Sequence, residues 1–398
     1  MTRRLLLPVV VLLAAIAAAC VPVTPPPPPP PPPPLPPQPA SQYCAPSVPE
    51  SPGAYQAAFD NLRRTWTEWA SADGAVPVHL PNGSTVWMFG DTYLGTVSSS
   101  GAIQPGHYLI NNSFVVQNGA CFEPLMGGAP LARTDLIPDP APNQWYWPAG
   151  AIVDGGALRV FLMRIAPIPA GFGFGMIQMD LATFSLSTLQ LQGITGPVPA
   201  TIDKPFGTTV LSDGSHVYLY APSSKESGDE QITAKHYVAR APVGQLTNTS
   251  AWTYWNQTLQ DWVADFDVAE PMAFTDPALH PTPGSIEVLG GPAAQLQVSA
   301  NPAGGFRGTA KLLDAFSDDV SAFSAPNPWG PWTWEGRVAT TAFPELATYG
   351  AATHSNLIGT STSTLVFNTN DAPFGAVLPP TIANYGPRFV TPSAPTKP

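Results

Sequence analysis

The chain has 398 residues, a formal net charge of −11 and an isoelectric point near 4.8. An acidic surface repels phosphate groups, which argues against nucleic acid and anionic lipid as partners. Only 11% of the residues are charged, whereas 10% are aromatic, including 11 tryptophans. This composition suits a protein that binds neutral polymers such as glycans, although a tryptophan-rich β core gives the same composition.

The first nineteen residues have the layout of a cleaved export signal. Two arginines stand near the start, residues 5–16 are apolar, and three alanines precede Cys20. The segment is too short and wrongly flanked for a stable membrane span. The cysteine at the junction resembles the lipobox of bacterial lipoproteins. We therefore expect a signal peptide at residues 1–19, lipidation of Cys20 and a location on the outer face of the cell membrane; an ordinary signal peptide is the alternative.

Residues 20–44 form a proline-rich linker, with ten consecutive prolines at 25–34. Proline fixes φ and lacks an N–H donor, so this run is predicted to adopt polyproline II conformation. At about 3.1 Å per residue the ten prolines span about 30 Å, as a semi-rigid spacer between the membrane and the folded region. A ligand for an SH3-type domain is the other interpretation, but an exported chain rarely meets such a domain.

Two further cysteines, Cys44 and Cys121, form an even pair in an oxidising compartment, so a disulfide between them is expected. The sequence leaves two free thiols open. It contains no HExxH, CxxC, GxSxG or phosphate-loop motif, and its six histidines are scattered. We therefore expect no cofactor and no metal ion, and exclude zinc proteases, α/β-hydrolases and nucleotide enzymes.

Beyond residue 44 the patterns are those of an all-β fold. The one helix signal covers residues 52–70, and Asn-Gly or Asp-Gly turns at 82–83, 154–156 and 213–214 predict hairpins. Alternating and β-branched runs predict strands at residues 84–89, 112–117, 157–163, 172–179, 207–211, 216–221, 236–241, 286–289, 306–312 and 364–368.

A rough repeat recurs along these strands, in which a small-residue strand is followed by a turn and an aromatic-rich strand. The five openers begin at Asp73, Trp147, Pro205, Glu270 and Tyr349. Five such units predict a five-bladed β-propeller over residues 45–398, with short inner strands around a central channel. A two-sheet sandwich of the same strands is the alternative.

The segment 69–92 carries two specific motifs, Ala-Asp-Gly at 72–74 and Phe-Gly-Asp-Thr at 89–92. It resembles the opening blade of the DUF4185/DUF5005-type proteins, which are five-bladed β-propellers related in architecture to furanosidase-type glycoside hydrolases. Shorter matches occur in order as far as Phe389. The members most like this chain are endo-acting D-arabinanases, so the resemblance implies cleavage of arabinofuranosyl linkages in cell-wall arabinogalactan and lipoarabinomannan.

Glycosidic cleavage requires two carboxyl groups across the scissile bond. Asp73 precedes the first inner strand and Asp91 ends the next, antiparallel strand, so both are expected at the same edge of one sheet. The resemblance implies that this pair is catalytic. Without it, Asp73 belongs to an ordinary Asp-Gly turn and Asp91 to a loop cap. The aromatic neighbours of Asp91 slightly favour it as the acid.

Six other residues are expected to contact a polysaccharide substrate: Asn112, Trp147, Asp203, Glu270, His354 and Arg388. Trp147 would stack on a sugar ring, and His354 would donate to a sugar hydroxyl. Asp203 and Glu270 precede later units, while Asn112 and Arg388 match the family pattern without a derived role. Loop capping and packing are the alternatives throughout. The competing function is a non-catalytic glycan-binding lipoprotein, and a monomer is expected in either case.

Overall fold

The computed structural model describes residues 43–104, 106–169, 173–223, 235–275, 295–311, 316–343, 345–354, 357–360, 363–371 and 380–397. The expected signal peptide, Cys20 and the polyproline run lie outside these residues, as does the strand predicted at 286–289. Within these ranges, no helix is long and apolar enough to cross a membrane.

The described part of the chain is all-β apart from one α-helix, α1 (Pro52–Thr65), and one turn of 3₁₀ helix (Thr249–Ala251), which confirms the predicted class. The strands, numbered in chain order, are β1 (Tyr43–Cys44), β2 (Ser71–Ala72), β3 (Val76–His79), β4 (Thr85–Phe89), β5 (Thr92–Leu94), β6 (Tyr108–Ile110), β7 (Ser113–Asn118), β8 (Cys121–Leu125), β9 (Gly127–Ala129), β10 (Ala132–Thr134), β11 (Trp145–Asp154), β12 (Ala157–Pro167), β13 (Phe174–Ser185), β14 (Leu191–Thr195), β15 (Thr209–Ser212), β16 (His216–Ser223), β17 (Lys235–Pro242), β18 (Thr253–Asn256), β19 (Asp261–Val263), β20 (Phe274–Thr275), β21 (Gln297–Ala300), β22 (Phe306–Lys311), β23 (Asp319–Ala325), β24 (Trp332–Thr340), β25 (Leu346–His354), β26 (Thr364–Asp371) and β27 (Gly386–Val390).

The described strands form seven sheets. Five of them, numbered below, succeed one another along the chain, and β2-β5-β6 and β9-β10 form two small additional ones. Sheet 1 has the order β3-β4-β7-β8-β1, sheet 2 β11-β12-β13-β14 and sheet 3 β15-β16-β17-β18-β19. Sheet 4 has the order β21-β22-β23-β24-β20, and sheet 5 contains β25-β26-β27. Pairing is antiparallel except between β20 and β24. The leading strands β3, β11, β15, β21 and β25 pack beside one another in that order.

Apolar side chains fill the seam between each sheet and the next, so a sheet with a neighbour on either side is buried on both faces. Aromatic rings are in contact across these seams, as three pairs illustrate. Phe114 contacts Phe184 between sheets 1 and 2. Phe161 contacts Trp252 between sheets 2 and 3, and Tyr218 contacts Trp329 between sheets 3 and 4. Val320 and Leu365 belong to the cluster between sheets 4 and 5.

Helix α1 fills the seam between sheet 5 and sheet 1. Tyr55, Phe59 and Leu62 lie at helical spacing and are fully buried. The Phe59 ring stacks on Phe389 of β27 at 5.2 Å between centroids, and meets Trp87 of β4 edge to face at 5.3 Å. The helix therefore bridges the last sheet and the first.

Every predicted strand that falls within the described ranges is present, with shifted ends, and all three predicted hairpin turns connect paired strands. The short helix expected within residues 52–70 is confirmed as α1, which ends at Thr65 because Trp66 turns to an extended conformation and joins the core. One expectation is wrong. The unit predicted to open at Glu270 opens at β21, because the segment after Glu270 forms β20 at the opposite edge of sheet 4.

A disulfide joins Cys44 of β1 to Cys121 of β8, two directly paired positions 77 residues apart in sequence. Since a cross-link over a loop of this length restricts the unfolded chain, we expect Cys44→Ser to lower the free energy of unfolding by about 4 kcal/mol. Urea denaturation measures this loss. Cys121→Ser must cost the same amount, and the double variant no more than either single one. A larger loss in the double variant would show that the thiols stabilise the fold separately.

Candidate active site

A pocket of about 610 Å³ opens beside the leading strands of the sheets. Its walls come from β3, the loop after β4, β11, β21, β25 and β26, so sheets 1, 2, 4 and 5 all contribute. Asp73 and Asp91 are the only carboxylic acids among the described residues that line it, and those residues include no lysine or arginine. The pocket is therefore an uncharged cavity around one carboxyl pair.

The main chain sets the two carboxyl groups side by side at one edge of sheet 1. The Asp73 N–H donates to the Asp91 main-chain oxygen at 3.1 Å, and the Gly90 N–H donates to the Asp73 main-chain oxygen at 2.8 Å. Gly74 has φ +100°, and a Cβ there would lie 3.0 Å from the Gly90 nitrogen, so glycine is required at this turn. The Ala-Asp-Gly and Phe-Gly-Asp-Thr motifs are thus two halves of one paired structure.

Each carboxyl group accepts a hydrogen bond from an aromatic side chain of a different sheet. The Tyr349 hydroxyl of β25 donates to Asp73 Oδ2 at 2.7 Å. Trp147 Nε1 of β11 donates to Asp91 Oδ1, also at 2.7 Å. The pair on sheet 1 is therefore held from both sides, by sheet 5 and by sheet 2.

Both donors precede a β-bulge in a leading strand. The pairing of β11 with β12 shifts register between Pro148 and Ala151, and that of β25 with β26 shifts between Tyr349 and Ala352. A bulge bends the strand and changes the direction of the side chains next to it. The bulges lie where Trp147 and Tyr349 leave the sheets to reach the carboxyl pair.

Burial raises the pKa of both carboxyl groups. The pKa of Asp73 rises to about 6, against the opposing effect of hydrogen bonds from Tyr349 and Tyr385. The pKa of Asp91 rises to about 8, first through burial and then through the negative charge of Asp73, while the Trp147 hydrogen bond opposes the rise. Near neutral pH the pair therefore retains one proton, which is the state that general acid–base catalysis needs.

Aromatic rings form two walls of the pocket. Trp147 and Phe174 meet edge to face at 5.4 Å, with Trp145 behind them at 6.2 Å from Trp147. Across the pocket Phe316 is 40% exposed and contacts the Tyr349 ring at 6.2 Å. Flat apolar surfaces around polar groups suit sugar rings, whose C–H faces are apolar and whose hydroxyls are not.

His354 lies at the wall of the same pocket and is 8% exposed. Burial, and then the neighbouring His79, lower the pKa of His354 to about 4. The imidazole is therefore neutral near pH 7. It is placed to exchange a hydrogen bond with a ligand and carries no charge for catalysis.

Asn112 is not part of the pocket, and its expected substrate contact is wrong. The side chain is fully buried. Its Nδ2 donates to the main-chain oxygens of Ile137 and Tyr146, both at 3.1 Å, and its Oδ1 accepts from the Ile137 N–H at 2.7 Å. With its amide engaged in this way, Asn112 ties the start of β7 to β11 and to the segment before it.

Three further expected contacts also lie outside the pocket. Asp203 is exposed in the tight turn 201–204. Glu270 accepts from the Thr258 N–H at 2.6 Å and so caps the β18–β19 hairpin. Arg388 donates to the main-chain oxygens of the turn before β27. The side chains of Glu270 and Arg388 thus have local structural roles, which is the alternative that the sequence left open.

The pocket also contains polar residues that the sequence did not single out as a site. Asn368 accepts from the Gly74 N–H at 3.2 Å and is 1% exposed. Asn368 and Asn370 are two apart in β26 and line the pocket together with Gln295 and Gln297. The alternation of β26 was a usable signal, because residues two apart share a face of a strand. Within the described ranges, no group of three or more His, Cys, Asp or Glu side chains is arranged to hold a metal ion.

Three solved structures superpose on most of this chain. A proposed hydrolase from Bacteroides ovatus superposes with a TM-score of 0.63 at 19% identity, over 84% of this chain and 88% of that one. A GH43_1 enzyme from Xanthomonas citri complexed with xylose gives 0.46 at 15% identity, over 84% and 92%. A GH32 β-fructofuranosidase from Bombyx mori complexed with sucrose gives 0.43 at 9% identity, over 85% and 65%.

A search of curated protein sequences finds no relative. A family model described as "Domain of unknown function (DUF5005)" matches residues 56–392. This range contains the carboxyl pair, its two aromatic donors, and every strand of the five numbered sheets except β1. The chain therefore belongs to the DUF5005 family.

Proposed function

We propose that the protein is a glycoside hydrolase that uses Asp73 and Asp91 as its two catalytic carboxyl groups. The observation that carries this proposal is the pair itself: two buried carboxyls on neighbouring strands, without a facing cation among the described lining residues, at the wall of an aromatic pocket. A protein gains no stability from burying such a pair, whereas glycosidic cleavage requires one. The low charge of the pocket favours a neutral sugar polymer as the substrate.

The five sheets are, in this proposal, the blades of a five-bladed β-propeller. The order of the leading strands, the apolar seam between each sheet and the next, and helix α1 between sheets 5 and 1 all support it. In a propeller the leading strands surround a central channel. The carboxyl pair would then lie at one mouth of that channel.

For the substrate we propose an arabinan, cleaved internally at arabinofuranosyl linkages of cell-wall arabinogalactan or lipoarabinomannan. The support is the resemblance of the segment 69–92 to endo-D-arabinanases of related propeller families. The amide side chains of Asn368, Asn370, Gln295 and Gln297 offer hydrogen bonds to sugar hydroxyls without adding charge.

We further propose that the protein is exported and anchored through a diacylated Cys20 on the outer face of the cell membrane. The layout of residues 1–20 supports the anchor, and the prolines at 25–34 supply a spacer of about 30 Å. An anchored enzyme with a spacer reaches wall polysaccharide near the membrane and stays attached to the cell.

The first prediction from the proposed function concerns the two carboxyl groups. Asp73→Asn and Asp91→Asn each remove a proton-transferring or ionised group, so we expect each to lower kcat/KM by at least about a hundredfold. Release of reducing ends from arabinogalactan by the purified chain measures this. Asp319→Asn, which changes an exposed ion pair with Arg337 on sheet 4, is the matched control and should keep full activity.

Folding of these variants is checked by their thermal stability. The pKa of Asp91 is raised in the folded state from 3.8, so wild-type stability declines as the pH rises from about 4 towards 8. Asp91→Asn should therefore melt at a higher temperature than wild type at neutral pH while being inactive. Full activity in both Asn variants would disprove the assignment. Binding of arabinan by wild type without any turnover would favour the alternative, a glycan-binding lipoprotein.

The second prediction is the pH dependence of turnover. The pair carries two protons below the pKa of Asp73, about 6, and none above that of Asp91, about 8. Because one proton is required, kcat/KM should follow a bell with its maximum near neutral pH. Initial rates from about pH 4 to about pH 10 test this. A rate that still rises towards the acidic end would exclude an ionised carboxylate as a necessary group.

The third prediction concerns the anchor. Two acyl chains on Cys20 hold a protein in a bilayer, whereas the apolar signal is removed on processing. In a bacterial host that processes lipoproteins, the wild-type chain should incorporate labelled palmitate, and Cys20→Ala should not, because it lacks the acylated thiol. Cys44→Ser, which changes a cysteine outside the signal, should incorporate the label like wild type. Absence of label from the wild-type chain would contradict lipidation.

A further inference from the structure

The two carboxyl groups of the pair have unequal surroundings. Asp73 accepts the Tyr349 hydroxyl at 2.7 Å, and the Tyr385 hydroxyl lies between Asp73 and the main-chain oxygen of Asp91, to which it donates at 3.0 Å. Within the described part of the chain, the side-chain donor to Asp91 is the Trp147 indole, at 2.7 Å. A phenol is the more acidic donor and stabilises a carboxylate more strongly than an indole does.

Tyr349 is itself oriented by a side-chain amide. Its hydroxyl makes a side-chain hydrogen bond with Asn370, which lies on the neighbouring strand β26. The side-chain amide of Asn370 can donate to the phenolic oxygen, which leaves the phenolic proton for Asp73. Hydrogen bonds arranged in such a chain polarise and strengthen one another in a buried site.

We propose that Tyr349 is a positioning residue that holds Asp73 as the ionised partner and leaves the shared proton on Asp91. This inference rests on the proposed function and assigns the roles within it. Asp91 is then the acid that protonates the glycosidic oxygen as its bond to the anomeric carbon breaks. Asp73 is the carboxylate on the other side, which must be ionised whether it activates water or attacks the sugar directly.

The other titratable groups around the pair do not reverse this assignment. Tyr385, just before β27, and Tyr93, in β5, both lie near the pair. Burial raises the pKa of each hydroxyl, so both are neutral at physiological pH. Asp135 adds negative charge on the side of Asp91, which favours retention of the proton there. Asp371 at the end of β26 interacts electrostatically with Tyr93. No cation lines the pocket among the described residues.

The bulge after Tyr349 explains how sheet 5 supplies this donor. The register of β25 against β26 shifts between Tyr349 and Ala352, where Gly350 has φ +63°. A side chain at position 350 would be strained, and its Cβ would lie 3.0 Å from the Asn368 amide. The turn of the strand at this point directs the phenol across the seam to sheet 1.

The test replaces Tyr349 by Phe, which keeps the ring and removes the hydroxyl. In carbon-13 NMR of Asp-labelled full-length chain, we expect the titration of Asp73 to move up by about one pH unit, because one hydrogen bond to a charged group is lost. In turnover of arabinogalactan, the acidic limb of kcat/KM should move up by the same amount, and kcat should fall about tenfold with KM within about twofold.

Tyr146→Phe is the matched control. Its hydroxyl donates to a buried carboxylate, Asp180, at the same 2.7 Å, but both residues lie outside the pocket. This variant should lose stability comparably and leave the pH profile and the Asp73 titration unchanged. If both variants shift the profile equally, or if Tyr349→Phe leaves the titration of Asp73 unmoved, the positioning role is wrong.

A second substitution should shift the titration of Asp73 in the opposite direction. A fluorinated tyrosine at position 349 has a more acidic phenol and the same shape, so it should move the titration of Asp73 downward. The NMR titrations require no turnover, so they separate the two hypotheses. An inactive wild-type chain with a titration that responds to Tyr349 contradicts the proposed function alone. An active chain whose titration ignores both substitutions contradicts the positioning role alone.

Discussion

The structure depends on one constraint, the burial of two carboxyl groups on adjacent strands without a cation in the described pocket wall. Removing a carboxylate from water is costly unless hydrogen bonds or opposite charges replace its hydration. Here the hydrogen bonds from Tyr349 and Trp147 replace that hydration, and a retained proton removes one of the two charges. The buried pair needs the donors that both neighbouring sheets supply. The chemistry of the pair therefore depends on how sheets 5, 1 and 2 pack together.

Features far from the pocket therefore bear on its geometry. The bond from Tyr349 to Asp73 crosses the seam between the last sheet and the first. In the described structure this seam is held by packing, by the bond from the Gly74 N–H to Asn368, and by a short main-chain bridge between Ala102 and Thr381. Helix α1 fills that seam with Phe59 against Phe389 and Trp87. The disulfide from Cys44 to Cys121 fixes the chain just before the helix to the outer edge of sheet 1. The Tyr349 bond crosses this seam, whereas the Trp147 bond crosses the seam between sheets 1 and 2.

The sequence predicted the local elements well because they depend on local chemistry. Alternation and Asp-Gly or Asn-Gly turns located the strands and hairpins, and antiparallel geometry put Asp73 and Asp91 at one edge. It failed where partners are distant in sequence. Asn112 looks like a site residue until its bonds to Ile137 and Tyr146 are seen. Tyr349 acts on Asp73 from 276 residues away, which no local pattern encodes. The misplaced fourth unit has the same origin, since only pairing with β24 shows that β20 is an edge strand.

The small-residue openers of the repeat have a physical meaning that the sequence alone left unstated. In β11 the opener continues to Gly150, whose N–H donates to the Gly207 oxygen of the next unit at 2.9 Å, and a Cβ there would come within 2.6 Å of that oxygen. Small residues thus let leading strands approach each other, and the bulge after Trp147 or Tyr349 uses the same space. An aromatic donor followed by small residues therefore brings two leading strands together and aims one hydrogen bond into the pocket. In two of the five openers, those at Trp147 and Tyr349, that bond reaches a carboxyl group of sheet 1.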